Sequence, residues 1–261
     1  MRWHQLCISL LTLITLAIGD PVPENAALPK QAPAKQVNDF KPNPAFAELV
    51  AELQRKWPKN RSIRFVFHGH SVPAGYFKTP VIQRFDSYPM IFQQELCKAF
   101  PTAVIDVSVT AIGGENSQAG EARFQSDVLT LKPDVVFIDY SLNDRRIGLK
   151  VAEDSWRKMI QSCIAAKKKV VLLTPTPDSG EDITDVDSRL AQHARQVRKL
   201  GEEFDVPVID SYAAFRKAVE AGNDVKSYLS QSNHPNRKGH LIVSELLVSL
   251  FAEPKRKMKK E

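Results

Sequence analysis

Two well-separated residues of the sequence could together perform nucleophilic chemistry. Ser71 stands in the segment 69–75 (GHSVPAG), where the flanking glycines allow a sharp turn that exposes the hydroxyl. A histidine within hydrogen-bond reach can take the proton of such a hydroxyl and make it a nucleophile. His234, which Pro235 follows directly, is a candidate for that general base.

Two further segments offer hydrogen-bond donors for the negative charge that such an attack creates. The segment 111–117 (AIGGENS) contains a glycine pair, so its backbone can approach a substrate closely and aim an amide at a developing oxyanion. Asn143, in the segment 141–144 (SLND), can offer a side-chain amide to the same oxygen. Each residue alone also suits an ordinary turn or helix cap, so only the combination favours an active site.

The elements that must position these residues alternate between strand and helix. Short β-branched runs predict five strands, and apolar residues at helical spacing predict the helices between them. The strands are Ile63 to Phe67, Ala103 to Val109, Val135 to Tyr140, Val170 to Thr174, and Val206 to Ile209. The helices are Tyr88 to Phe100, Ala122 to Leu131, Asp154 to Ala166, Ser188 to Phe204, and Asn236 to Phe251, with one more opening at Pro44. This alternation predicts a parallel sheet covered on both faces, with the functional loops at its carboxyl edge.

The order serine, glycine, asparagine, histidine resembles the four sequence blocks of the SGNH hydrolase superfamily, the GDSL-type esterases and lipases. The segment 69–71 is similar to the first block, with His70 where the family usually has aspartate. Gly114 matches the glycine block, and Asn143 matches the third block, in which Ser141 replaces the usual glycine. His234 matches the last. The resemblance covers about residues 60–252 and implies a three-layer α/β/α sandwich, flavodoxin-like, with a five-stranded parallel sheet.

The resemblance also implies a mechanism. Ser71 would attack an ester carbonyl while His234 takes its proton, and the acyl-enzyme would then be hydrolysed. The backbone amides of Ser71 and Gly114, with the side chain of Asn143, would form the oxyanion hole. No metal and no organic cofactor are expected. His70 would lie beside Ser71 in the pocket.

One position departs from the family pattern. The family places an aspartate three residues before the histidine to orient it, and Gln231 occupies that position here. Glutamine can accept a hydrogen bond from the imidazole but cannot stabilise an imidazolium by charge. Three interpretations stay open: a Ser–His dyad, a carboxylate such as Asp224 that reaches His234 in space, or a degenerate site that only binds ligands.

His68 and His70 form an H-x-H pair that would lie on one face of a strand. Such a pair could belong to a metal-dependent hydrolase, but no acidic cluster accompanies it at matching spacing. We therefore expect no metal site there. Cys97 and Cys163 fall on helices predicted to cover opposite faces of a 2-1-3-4-5 sheet, so we expect two free, mostly buried thiols.

The ends of the chain differ from its body. The 261 residues predict a signal peptide at 1–19, a proline-rich disordered linker at 20–43, the hydrolase domain at 44–253 and a basic tail at 254–261. The signal predicts a secreted or periplasmic protein without a stable membrane span after cleavage. Most of the net charge of +6 lies in the tail, and the near-neutral body predicts no folded basic surface and no nucleic-acid partner.

The sequence therefore predicts an exported serine esterase that acts on small carboxylic esters. Short loops at the strand ends indicate an open pocket, which favours acetyl esters of a carbohydrate such as a polysaccharide. The alternative, kept open by Gln231, is a catalytically weakened domain that binds glycans or envelope partners. Oligomeric state does not follow from the sequence.

Overall fold

The computed structural model describes residues 41–253. The predicted signal peptide, nearly all of the linker and the basic tail lie outside the described residues. Within them, strands and helices alternate, and no helix is long and apolar enough to cross a bilayer. The strands are β1 (Ser62–Gly69), β2 (Val104–Val109), β3 (Val135–Asp139), β4 (Lys169–Leu173), β5 (Val208–Ile209), β6 (Leu229–Gln231) and β7 (His234–Pro235).

The helices follow the predicted order, with additional ones directly after β1, β3 and β5. They are α1 (Ala47–Leu53), α2 (Ser71–Ala74), α3 (Tyr88–Ala99), α4 (Ser117–Ala122), α5 (Phe124–Asp127), α6 (Ser141–Asp144), α7 (Gly148–Ala165), α8 (Arg189–Phe204), α9 (Ser211–Glu220) and α10 (Arg237–Val248). Short 3₁₀ turns occur at Pro44–Phe46, Arg84–Asp86, Leu129–Leu131 and Val225–Tyr228. Pro44 opens the first of these turns, as its fixed backbone angle favours.

The five main strands form one parallel sheet in the order β2-β1-β3-β4-β5, which confirms the predicted fold class. The register pairs Gly69 of β1 with Asp139 of β3, so these two strands end at the same level. Because α2 and α6 begin just beyond those ends, the segments that carry Ser71 and Asn143 start side by side.

Each face of the sheet has its own apolar core, because alternate strand residues point to opposite faces. On one face Phe65 and Phe67 pack with α1, α3, α9 and α10, and the rings of Phe67 and Phe137 stack at 4.3 Å. On the other face Val66 packs with residues of α5, α7 and α8, including the buried Trp156. These two cores make the three-layer sandwich.

The structure breaks one predicted helix and adds elements that were not predicted. The helix expected over 122–131 breaks at Arg123, whose side chain pairs with Glu115 and Asp127. Helix α9 and the β6–β7 hairpin were not predicted. The hairpin is too short for any hydrophobic alternation, whereas α9 carries a usable helical spacing in Tyr212 and Phe215.

The cysteines lie on opposite faces and are both free, as predicted. Cys163 is buried in α7, and burial raises the pKa of its thiol to about 12. Cys97 is exposed, so its predicted burial is wrong. It follows Leu96 on α3, and the helix turns it away from the core that Leu96 enters.

Candidate active site

The end of β1 sets the position of Ser71. Gly69 lies so close to β3 that a Cβ atom there would stand 2.3 Å from the carbonyl oxygen of Asp139, so only glycine fits. The chain then turns into α2, with Ser71 as its first residue. His70 caps this helix, because its Nδ1 accepts a hydrogen bond of 3.2 Å from the amide of Val72.

The structure brings Ser71 and His234 together across 163 positions of sequence. Nε2 of His234 lies 3.0 Å from Oγ of Ser71, within the range of a nucleophile–base hydrogen bond. Each residue is only 6% exposed. His234 stands in β7, and the side chain of Asn236 caps the following helix α10 through the amide of Gly239. A short hairpin followed by a capped helix thus fixes the backbone around the histidine.

The other ring nitrogen of His234 contacts the main chain. Nδ1 lies 3.2 Å from the carbonyl oxygen of Phe77. A carbonyl only accepts, so this contact assigns the proton of the neutral ring to Nδ1 and leaves Nε2 free to accept from Ser71. The tautomer is the one that a general base for Ser71 needs.

Neither of the two predicted orienting side chains makes this contact. Oε1 of Gln231 accepts a hydrogen bond of 2.8 Å from the amide of Thr79. Asp224 is exposed and caps the turn at 225–228 by accepting from the amide of Lys226. Of the interpretations left open, an orienting contact from Gln231 or Asp224 is therefore not seen, because each side-chain oxygen accepts from a backbone amide instead.

Gln231 nevertheless influences the position of His234 indirectly, through the loop 76–82. Its bond to Thr79 and the contact of Ser230 Oγ with the carbonyl oxygen of Phe77, at 3.0 Å, tie the loop 76–82 to the β6–β7 hairpin. The loop presents the Phe77 carbonyl to His234 only while it stays in this place. The sequence does not indicate Phe77, because every residue has a backbone carbonyl and the residue type does not show which one faces His234.

The predicted oxyanion donors lie in adjacent loops. Nδ2 of Asn143 donates a 2.8 Å hydrogen bond to the carbonyl of Glu115, the residue after Gly114. A primary amide has two N–H groups, so one remains for a ligand. Gly114 adopts φ +79°, which favours glycine, and the amide of Ser71 belongs to a first helical turn that lacks intrahelical acceptors.

A buried carboxylate holds the glycine loop against α6. Asp144 accepts from the amide of Ser117 and from Nε1 of Trp156, both at 2.7 Å. Burial raises the pKa of Asp144, and these bonds to its charged form oppose the rise. Trp156 is therefore a support for the loop that contains Gly114.

His70 lies beneath Ser71 and is fully buried, so the prediction that it lines the pocket is wrong. Its Nε2 faces Oδ1 of Asp139 at 3.3 Å, in poor alignment for a hydrogen bond. The other carboxylate oxygen accepts from the hydroxyl of Tyr88 at 2.8 Å. Burial and the neighbouring Asp139 raise the pKa of Tyr88. Ser71 thus stands on a buried polar cluster.

His68 and His70 do not share a face, which corrects the expected H-x-H pair. Strand β1 ends at Gly69, and the turn sends His70 toward Tyr88 on one side of the sheet. His68 stays on the other side, where its Nδ1 lies 2.8 Å from Oγ1 of Thr110 and its Nε2 lies 3.1 Å from the carbonyl of Gly120. Burial lowers the pKa of His68 to about 4.

Burial also lowers the pKa of His234, and proximity to His70 lowers it further, while the bond to the Phe77 carbonyl opposes this. The imidazole is consequently neutral at neutral pH. That is the protonation state in which it can accept the proton of Ser71.

Comparison with known proteins places this geometry among ester hydrolases. The model of the GDSL-like Lipase/Acylhydrolase family matches residues 67–242. An acetylxylan esterase of Geobacillus stearothermophilus is 24% identical over 157 residues, which cover 56% of this chain and 71% of that protein. The lipoprotein YqeF of Bacillus subtilis is 26% identical over 174 residues, covering 54% and 71%.

A solved structure of similar fold is that of Axe2, an acetylxylan esterase from Geobacillus stearothermophilus. The two structures superpose with a TM-score of 0.65 at 22% sequence identity, over 75% of this chain and 97% of that one. The common fold is therefore nearly the whole of Axe2.

Proposed function

The chain belongs to the GDSL-like lipase/acylhydrolase family, and from this premise we propose that it removes acetyl groups from carbohydrates outside the cytoplasm. It is a serine hydrolase that acts on ester bonds. The observation that carries the proposal is the contact of 3.0 Å between Ser71 Oγ and His234 Nε2. The assignments of individual residues below are part of the proposal.

In the first half-reaction Oγ of Ser71 attacks the ester carbonyl carbon as its proton passes to Nε2 of His234. The carbonyl oxygen becomes an oxyanion, which the amides of Ser71 and Gly114 and the free N–H of Asn143 stabilise. When the C–O bond to the alcohol breaks, His234 returns the proton to the leaving oxygen. A water molecule then repeats the sequence and releases the acid from the acyl-enzyme.

The orientation of His234 is the part that departs from a carboxylate triad. Structures of Axe2 described as catalytic mutants replace a serine, a histidine and an aspartate that stands three residues before the histidine. This chain has Gln231 at the corresponding spacing and uses the Phe77 carbonyl. A carbonyl dipole fixes the tautomer but brings no net charge, so it stabilises the imidazolium of the transition state less than a carboxylate does.

Two observations support a small acyl group on a carbohydrate. The reacting pair is more enclosed than the open pocket that the short loops predicted, since Ser71 and His234 are each 6% exposed, and an enclosed nucleophile favours acetyl over a long acyl chain. The Geobacillus relative is an acetylxylan esterase. Export is supported by the apolar run Leu6 to Ile18 after Arg2, and a second relative is a lipoprotein.

The test compares hydrolysis of p-nitrophenyl esters of increasing acyl length with release of acetate from acetylated xylooligosaccharides. We expect kcat/KM to be highest for acetyl and to fall with chain length. The Ser71→Ala variant should lose turnover of every ester while keeping its thermal melting curve. Undiminished hydrolysis by folded Ser71→Ala would reject Ser71 as the nucleophile, and binding of glycans without any turnover would favour the binding-module alternative.

A further inference from the structure

The charges of the folded body are segregated between the two edges of the sheet. Three loops that lead into strands at their amino ends, 54–61, 132–134 and 166–169, contain eight lysines and arginines and a single aspartate. We call this surface the basic edge. Its basic residues are Arg55, Lys56, Lys59, Arg61, Lys132, Lys167, Lys168 and Lys169.

The three loops form one continuous surface. The guanidinium of Arg61 pairs with Asp134 at 2.9 Å, and the carbonyl of Asp134 accepts from the amide of Lys169 at 3.2 Å. A cleft of about 550 Å³ runs between Arg55, Arg61 and the turn at 167–169. Glu48 and Glu52 also line it, and Glu52 pairs with both arginines, so the excess of positive charge comes from the lysines. The expectation of no folded basic surface is therefore wrong. That expectation rests on the net charge of the body, which does not show where the individual charges lie.

The basic edge also exposes a large aromatic side chain. Trp57 is 84% exposed and stands between the basic pairs of the loop 54–61. Val104, at the start of β2, and Leu131, next to Lys132, are exposed as well. Tryptophan surrounded by lysine and arginine is the combination that favours the interface between water and a bilayer, where the ring enters the headgroup region and the cations meet lipid phosphates.

The opposite edge contains an acidic loop, whose Asp178 and Glu181 pair with Arg145, the residue after α6. The loop 174–187, which follows β4, contains five carboxylates and no lysine or arginine. It lies at the catalytic side, since the amide of Ser179 donates to the carbonyl of Ser232 in the hairpin before His234. Near an anionic surface this separation of charge turns the basic edge toward the surface and the catalytic edge away from it.

Both ends of the described chain lie close to the basic edge. The amide of Asn43 donates to the carbonyl of Leu250 at 3.1 Å, and Nζ of Lys169 donates to the carbonyl of Ala45 at 2.6 Å. Beyond the second of these ends the sequence continues directly into the basic segment at 254–261. The lysines and arginines of that segment thus follow the described chain on the side of the fold where the basic edge lies.

We propose that the basic edge binds the surface of an anionic lipid bilayer and directs the catalytic edge away from it. Each lysine or arginine near such a surface adds about 1 kcal/mol, or about a fivefold increase in partitioning. Insertion of Trp57 adds a contribution that salt does not screen. A bilayer is favoured over a nucleic acid because Trp57, Val104 and Leu131 offer apolar side chains for lipid among the cations.

The experiment measures co-sedimentation of residues 39–261, which include the compact unit of the described chain, with vesicles. Vesicles of pure phosphatidylcholine are compared with an equimolar mixture of phosphatidylcholine and phosphatidylglycerol. We expect binding to the mixture alone, weakened by salt. This unit contains two tryptophans, and Trp156 is buried, so a blue shift of emission on binding reports Trp57.

Two charge-reversed variants test the surface. Lys56→Glu/Lys59→Glu and Lys167→Glu/Lys168→Glu should each lower partitioning on the order of 25-fold or more, at about fivefold per base removed. Lys217→Glu/Lys226→Glu changes the same charge at exposed positions outside the basic edge and should bind nearly as the parent does. Removing Lys255 to Glu261 should lower binding further without abolishing it.

Equal losses in all three charge-reversed variants would reject the basic edge, because binding would then depend on net charge alone. Retention on a polyanion such as heparin without binding to vesicles would also reject a bilayer partner. All variants should hydrolyse a soluble acetyl ester at the parent rate. Failure of hydrolysis in the parent would count against the proposed function and leave the vesicle result intact.

Discussion

The two edges of one sheet perform opposite physical tasks. At the carboxyl edge, Ser71, His234 and Asn143 are buried and bonded to fixed partners. At the amino edge, the lysines and arginines are largely exposed and reach into solvent. The proposed chemistry at the carboxyl edge depends on atomic positions. The proposed binding at the amino edge depends on the sum of charges over a surface.

This difference predicts how each edge responds to substitution. A catalytic constellation loses much of its rate when one donor moves by about 1 Å, because proximity and preorganisation act through geometry. A charged surface loses affinity in small steps, one for each charge removed. The substitutions below are ordered by the size of the effect that this contrast predicts.

The largest effect in this series is expected at Asn143. Asn143→Ala removes the proposed oxyanion donor, so kcat for an acetyl ester should fall by about 10²–10³-fold with little change in KM. Because Asn143 also bonds the carbonyl of Glu115, a melting curve is needed beside the kinetics. A rise in KM at unchanged kcat would contradict the assignment of Asn143 as an oxyanion donor.

A smaller effect is expected at Gln231, the positioning residue for the loop 76–82. Gln231→Ala removes the acceptor for Thr79, frees the Phe77 carbonyl to move and should lower kcat by about tenfold. Gln231→Glu retains an acceptor oxygen and should restore most of the rate. If Gln231→Ala has the parent rate, the loop does not need this bond to orient His234.

The pH dependence of turnover should report the environment of His234. Burial lowers its pKa, so kcat/KM should rise with pH through an apparent pKa below the usual value of about 6.5 and then level. A carboxylate partner would shift this acid limb to higher pH. A limb above the usual histidine value would therefore indicate a carboxylate at Nδ1 in place of the Phe77 carbonyl.

The smallest expected effect is on stability, and it comes from buried histidines outside the site. Burial lowers the pKa of both His68 and His193 to about 4. In the unfolded chain these histidines take up protons near pH 6.5, so the unfolded state binds more protons than the native state between about pH 6.5 and 4. The free energy of unfolding should fall as the pH is lowered through that window.

Denaturant titrations at a series of pH values measure this slope. His68→Gln should reduce the dependence of the unfolding free energy on pH, since the variant no longer has that buried proton acceptor. An equal slope in parent and variant would mean that His68 does not contribute to the acid sensitivity.

The sheet and the meeting of Ser71 with His234 could be predicted from the sequence, because both depend on residue types that the sequence shows directly. β-Branched runs of four to seven residues indicate buried parallel strands, and a parallel sheet places the loops that carry Ser71, Gly114 and Asn143 at one edge. The block around His234 then identifies the base. None of this required knowledge of side-chain packing.

The orienting group could not be predicted, because the Phe77 carbonyl belongs to the main chain and its position depends on how two loops meet. The turn at Gly69 was also hidden, so His68 and His70 were placed on one face although the strand ends between them. The basic edge could have been predicted from the sequence. It follows once the charges are sorted into loops that precede strands and loops that follow them.

The central claim is that Ser71 forms the acyl-enzyme. Incubation with a fluorophosphonate, followed by intact mass and peptide mapping, tests it most directly. The account predicts one covalent adduct, located on Ser71, that is absent from Ser71→Ala and greatly slowed in His234→Ala. An adduct on another residue, or ester hydrolysis by a parent chain that never labels, would contradict it.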